Sequence, residues 1–118
     1  MYLINAVFII NHEFDSAYWQ VWKLIDSDNK DGVKGFLIIH FPLLFTILLG
    51  LVLVFEDKYA GLIISLILSA FGLFAFFFHF YHLRKGRPEF NTVISKDMII
   101  STFIISIFQI ILTIKQMI

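Results

Sequence analysis

Residues Gly35–Phe55 read GFLIIHFPLLFTILLGLVLVF, and His40 is the single ionisable group in the run. A helix needs roughly 20 mostly apolar residues to cross a hydrocarbon core of about 30 Å. This stretch meets that requirement. Two further stretches do as well: Ala60–Tyr81, with His79 near its end, and Met98–Ile114, with no charge. Helices are the economical form, because a lone strand in lipid leaves its backbone groups unpaired.

Composition agrees. Of the 118 residues 59% are hydrophobic and only 15% charged, with a mean hydropathy of +0.87. That balance excludes disorder and argues against a water-soluble globule. The nine basic and nine acidic residues cancel, so no global field favours nucleic acid as a partner. The absence of cysteine excludes disulfides and thiolate metal sites.

The stretch before Gly35 is harder to place. Leu3, Val7, Ile10, Phe14, Ala17, Val21 and Leu24 recur at helical spacing. Glu13 and Asp15 interrupt them, at about 2.5–3.5 kcal/mol each in mid-membrane. A hairpin with the next span would bury that polar face against protein. The alternative is an amphipathic helix lying in the interface. With no basic leader and a broken apolar run, the segment does not read as a cleavable signal peptide.

With four spans, the connections Asp26–Lys34 and Leu83–Lys96 share one side. That side collects Lys23, Lys30, Lys34, Arg84, Lys85, Arg87 and Lys96; the other has Lys58 and Lys115. The asymmetry places the first side in the cytoplasm and both termini outside, with Trp19 and Trp22 near the cytoplasmic interface.

At about 1.5 Å per residue, Asp15 lies roughly 12 Å in from Lys23 and His12 roughly 16 Å. His40 lies roughly 9 Å in from Lys34, His79 roughly 8 Å in from Arg84, and His82 about 3 Å in. Groups from three helices thus fall in one half of the bilayer. Asn5, His12, Asp15, Ser16 and Gln20 share a face of the first helix, with Glu13 at its edge. His79 shares a stripe with the small residues Gly61, Ser65, Gly72 and Ala75, which lets helices approach closely. On the fourth helix Thr102, Ser106, Gln109 and Thr113 form a stripe suited to interhelical hydrogen bonds. Pro42 offers a kink beside His40. The phenylalanines from Phe71 to Phe80 read as lipid-facing and core packing.

These residues support three chemistries. The first is a divalent transition metal, zinc foremost, held by His12, Asp15, His40, His79 and His82 with Glu13 as the catalytic base. An open coordination position would favour hydrolysis of a lipid or membrane-associated substrate by metal-activated water. Arg84, Lys85 and Arg87 could hold an anionic headgroup there, but they read first as ordinary positive-inside residues. The second chemistry is haem between His40 and His79, ranked lower because it leaves Glu13 and Asp15 without a role. The third needs no cofactor: a proton relay, or a polar lock between helices.

Asn11-His12-Glu13-Phe14-Asp15-Ser16-Ala17-Tyr18 and His40-Phe41-Pro42-Leu43 resemble an uncharacterised group of small bacterial membrane proteins with a His-Glu-x-Asp motif in the first helix. A looser likeness extends to membrane proteins named for a His-x-x-Glu-Glu motif. The resemblance implies a shared site of His12, Glu13, Asp15 and His40, and no particular reaction. Such families often carry a carboxylate before the Trp that follows the motif; here Val21 precedes Trp22.

The expectation is therefore an all-α integral membrane four-helix bundle, one domain over residues 1–118, with helices at about 2–25, 35–55, 60–82 and 97–114. Its expected location is the bacterial inner membrane. Membrane lipids are the expected partners, and a homo-oligomer is allowed.

Overall fold

The computed structural model describes residues 1–25, 30–88 and 90–118. Parts of the first and third connections, 26–29 and 89, lie outside the described residues. The chain is all helical: α1 Tyr2–Tyr18, a short 3-10 turn Val21–Leu24, α2 Gly32–Phe55, α3 Tyr59–Arg84 and α4 Val93–Met117. Each helix packs on its chain neighbours, and α4 closes the ring on α1. The assembly measures 45 × 27 × 19 Å. Its long axis compares with a bilayer of about 40–45 Å including headgroups.

α2, α3 and α4 have 24, 26 and 25 residues and are long and apolar enough to cross a membrane. Polarity runs inside out. The described buried side chains include Asn5, His12, Ser16, Ser69, His79, Thr102, Ser106 and Gln109, whereas Phe41, Phe45, Leu48, Phe74, Phe77 and Phe108 face outward. In water such a surface would be an aggregation liability; against lipid it costs nothing. Exposed polar groups on the outer faces satisfy themselves locally. Asn11 Nδ2 donates to Val7 O at 2.8 Å, and Thr46 Oγ1 to Pro42 O at 2.8 Å. That is what a solvent without hydrogen bonds demands.

Small residues set the helix spacing. A Cβ on Gly61 would stand 2.7 Å from the backbone nitrogen of Val54, and one on Gly72 would meet the Ser106 hydroxyl. The ends of α2 and α3 share one device. After α2, Asp57 takes φ 52°, with Lys58 N–H on Leu53 O at 2.9 Å and Asp57 N–H on Val54 O at 3.2 Å. After α3, Gly86 at φ 79° repeats the pattern through Arg87 and His82. Both are Schellman stops, which satisfy otherwise orphaned carbonyls. α4 begins earlier than its apolar run, because Thr92 caps it by accepting from Ser95 N–H at 3.1 Å.

α1 corrects the sequence expectation of a helix to residue 25. It ends at Tyr18, and Gln20 turns left-handed at φ 54°. The cause is tertiary. The chain folds back so that Trp22 covers Gly32 and Phe36, and Leu24 joins Phe90 and Ile99 in a small core at that end of the bundle. A second core, of Tyr2, Ala6, Ile9, Ile47 and Leu68, fills the bundle further along. There Tyr2 Oη donates to Ile47 O at 2.7 Å. Pro42 lies inside α2, which runs unbroken to Phe55.

Candidate functional site

The inner face of α1 carries Asn5, Ile9, His12, Glu13 and Ser16, all buried. Their spacing follows the helical repeat, so His12 and Glu13 diverge toward different neighbours. His12 turns to α3 and meets the ring of His79, with centroids 4.6 Å apart and planes at 77°. Glu13 turns to α2, where its carboxyl group binds His40 Nε2.

His40 is held in one orientation. Its ring stacks on Phe36 at 3.6 Å, and its Nδ1–H donates to Phe36 O at 2.6 Å. A carbonyl can only accept, so Nδ1 carries a proton and Nε2 is the nitrogen that faces the Glu13 carboxyl group. His12 Nε2 lies 3.5 Å from Ser16 Oγ, while the Nδ1 atoms of His12 and His79 are buried without a hydrogen-bond partner among the described residues. Phe90 closes the site from the connection to α4. It is fully buried, 4.1 Å from the His79 ring centroid and 6.3 Å from that of His12, and takes φ 68° to reach there.

Both pairs border one cleft of about 480 Å³ between α1, α2 and α3. Its walls include Trp22, Phe36, Ile39, Phe71, Phe74 and Phe78, and its polar lining is His12, Glu13, Ser16, His40 and His79, with Asp31, which sequence reasoning did not single out, from the start of α2. An apolar pocket with a few polar groups in it is the usual form of a small-molecule site.

Four of the six residues singled out in the sequence therefore meet. The other two do not join them. Asp15 is half-buried, with Oδ2 sequestered and unpartnered among the described residues, and it is not part of the cleft wall. His82 packs against Phe78 and Tyr81, at 4.7 and 5.2 Å between centroids, also away from the cleft. Among the described residues no three His, Asp or Glu side chains converge in a way that could hold a metal ion. The physical reason is visible at His40, whose two ring nitrogens are already engaged by Phe36 and Glu13.

The aromatic wall was read from sequence as packing and lipid contact. Phe71, Phe74 and Phe78 do repeat at 3 and 4 residues beside the His79 stripe, a spacing that marks them as one face. Phe90 carries no such signal, because its position depends on the backbone of a connection.

The model of one family, described as a family of unknown function (DUF6713), matches residues 1–116. No curated protein and no solved structure matches the chain.

Proposed function

We propose, for a chain that belongs to the family of unknown function DUF6713, that it is a small polytopic protein of the bacterial cytoplasmic membrane. Its cleft takes a long apolar ligand, and the Glu13–His40 pair exchanges a proton with the ligand's polar end. The cation-rich end faces the cytoplasm and both termini lie outside. Support for insertion comes from the inverted polarity of the bundle and from three helices of spanning length. α1 rises only about 26 Å over its residues. It joins them through its outward Leu3, Ile4, Val7 and Phe14, with its acids turned inward or half-covered.

The observation that carries the chemistry is the contact of the Glu13 carboxyl group with His40 Nε2 at the wall of the apolar cleft. Whether written as acid plus imidazole or carboxylate plus imidazolium, the pair holds one mobile proton. His40 is kept in register by the Phe36 carbonyl. A positioned pair of this kind is a general acid–base couple.

Gly35 supplies the test. It lines the cleft, and a Cβ there meets nothing within 4 Å. Gly35→Leu should plug the space without disturbing the fold. Detergent-solubilised protein titrated with cis-parinaric acid, a fluorescent polyene fatty acid, should give saturable enhancement that Gly35→Leu abolishes. Equal binding by both proteins would overturn the reading.

A metal site is the second reading, supported by the unpartnered Nδ1 atoms of His12 and His79. Zinc would give them a partner after a modest rotation of the rings, with a third ligand drawn from outside the pair. A bound metal with an open position would supply hydrolytic chemistry on a lipid. Metal analysis of protein purified without chelator decides: less than about a tenth of an equivalent removes it, because a site of this type binds tightly. Haem between His40 and His79 fits less well, since both ring nitrogens of His40 are already engaged, by the Phe36 carbonyl and by Glu13.

A further inference from the structure

A second hollow lies on the opposite flank, between α3 and α4. It encloses about 290 Å³ and is lined by Phe76, Phe80, Ile99 and Ile100 below and by Arg84, Asn91 and Lys96 at its mouth. The two layers are ordered along the bundle. The apolar residues continue the hollow toward mid-helix, and the cations sit at the end where α3 stops and α4 starts. The Arg84 guanidinium lies 5.8 Å from the centroid of the Phe80 ring, over its face. Among the described residues neither Arg84 nor Lys96 has an acidic partner within salt-bridge distance.

We propose that this hollow is a binding site for one anionic glycerophospholipid, independent of the cleft that holds the histidines. The lipid phosphate sits between Arg84 and Lys96, with the Asn91 amide as a further donor. One acyl chain runs down the Phe76–Phe80–Ile100 wall. Charge complementarity selects the occupant. Two cations without an acidic partner among the described residues, above an apolar floor, match a molecule with a negative head and a hydrocarbon tail, and match neither a soluble anion nor a zwitterion as well. A guanidinium already lying over an aromatic face is orientated for a phosphate at lower ordering cost than a free surface side chain. The inference rests on membrane insertion but not on any chemistry at Glu13 or His40.

Native mass spectrometry of the detergent-solubilised chain provides the test, with short-chain phosphatidylglycerol, phosphatidylcholine of the same chain length and inorganic phosphate as probes. Phosphatidylglycerol should be retained as a single adduct and phosphatidylcholine should not. The double variant Arg84→Gln/Lys96→Gln should weaken retention by roughly thirtyfold, as expected for two cation–headgroup contacts. Ile100→Trp, which leaves the charge intact and fills the hollow, should also lose the adduct. Circular dichroism controls for folding, and a variant that fails that control is replaced in the comparison by Ile100→Trp. Equal retention of the two lipids, or of phosphatidylglycerol by wild type and variants, overturns the proposal. Displacement of the lipid by millimolar inorganic phosphate overturns the lipid as its occupant. Carbonate extraction of the chain from membranes would separately remove the premise of insertion, and Gly35→Leu, which fills the histidine cleft, should leave the phosphatidylglycerol adduct in place.

Discussion

His12 on α1 and His79 on α3 stand edge to face with ring centroids 4.6 Å apart, and they are only 2% and 3% exposed. Two imidazoles in van der Waals contact repel if both are charged, so the pair carries at most one positive charge. The contact between Glu13 and His40 lies one helix away, on α2.

Removing one member of the Glu13–His40 pair leaves the other buried without its partner. Glu13→Ala should destabilise the bundle by about 3 kcal/mol, and Glu13→Leu combined with His40→Phe by much less. Equilibrium unfolding in mixed micelles measures both. A double variant as damaged as the single one would mean that the pair is not coupled.

Phe90 shields His79 while sitting at φ 68°. Phe90→Ala should cost about 3–5 kcal/mol through the lost ring. It should also open His79 to solvent, which NMR hydrogen exchange or carbethoxylation by diethyl pyrocarbonate reads out. Unchanged protection of His79 would contradict the packing described.

Two glycines should respond oppositely to alanine. Gly72→Ala drives a methyl into Ser106 and Thr102 and should cost about 1–3 kcal/mol. Gly35→Ala meets open space and should be neutral or stabilising by up to about 1 kcal/mol, from helix propensity alone. Thermal unfolding of the two proteins side by side makes the comparison.

The interhelical bond from Gln109 Nε2 to Ser65 O, at 3.0 Å, is buried. In membranes such bonds average only about 0.6 kcal/mol, so Gln109→Leu should change stability little. A loss above about 2 kcal/mol would show that the polar seam carries more of the fold than membrane bundles ordinarily allow.

Orientation can be read with thiol labelling on a chain that has no cysteine of its own. Cysteines replacing Asp57 and Ile118 should react with an impermeant maleimide from outside. A cysteine replacing Lys85 should react only after the membrane is opened. Labelling of the cysteine at 85 alone from outside would reverse the proposed orientation, and labelling of all three from one side would mean that α3 and α4 do not span.

The three long helices were legible because an uninterrupted apolar run leaves few alternatives to a span. Their starts and stops were less so. Thr92 caps α4 before its apolar run begins, and Asp57 takes a left-handed conformation that the residue type does not announce. α1 was legible by period but not by length. No Gly or Pro marks its end, and the turn at Gln20 answers to Trp22 and Leu24 finding partners on other helices. At the site, counting depth from the cations put His12, His40 and His79 in the same half of the bundle, and all three border one cleft. Helical rotation placed Asp15 beside His12, but it could not say which neighbour each flank would meet. The crossing of α1 over α2 made Glu13, not Asp15, the residue that reaches His40.

Ser106 and Gln109 sit one turn apart on α4 yet reach in different directions, Ser106 Oγ to Asn5 Oδ1 on α1 at 3.3 Å and Gln109 to Ser65 on α3. α4 contributes no side chain to the histidine cleft. Its part is that of a clasp: sliding or rolling toward either neighbour breaks the bond to the other. α4 thus bonds to both helices that carry His12 and His79 while lining none of the cleft between them.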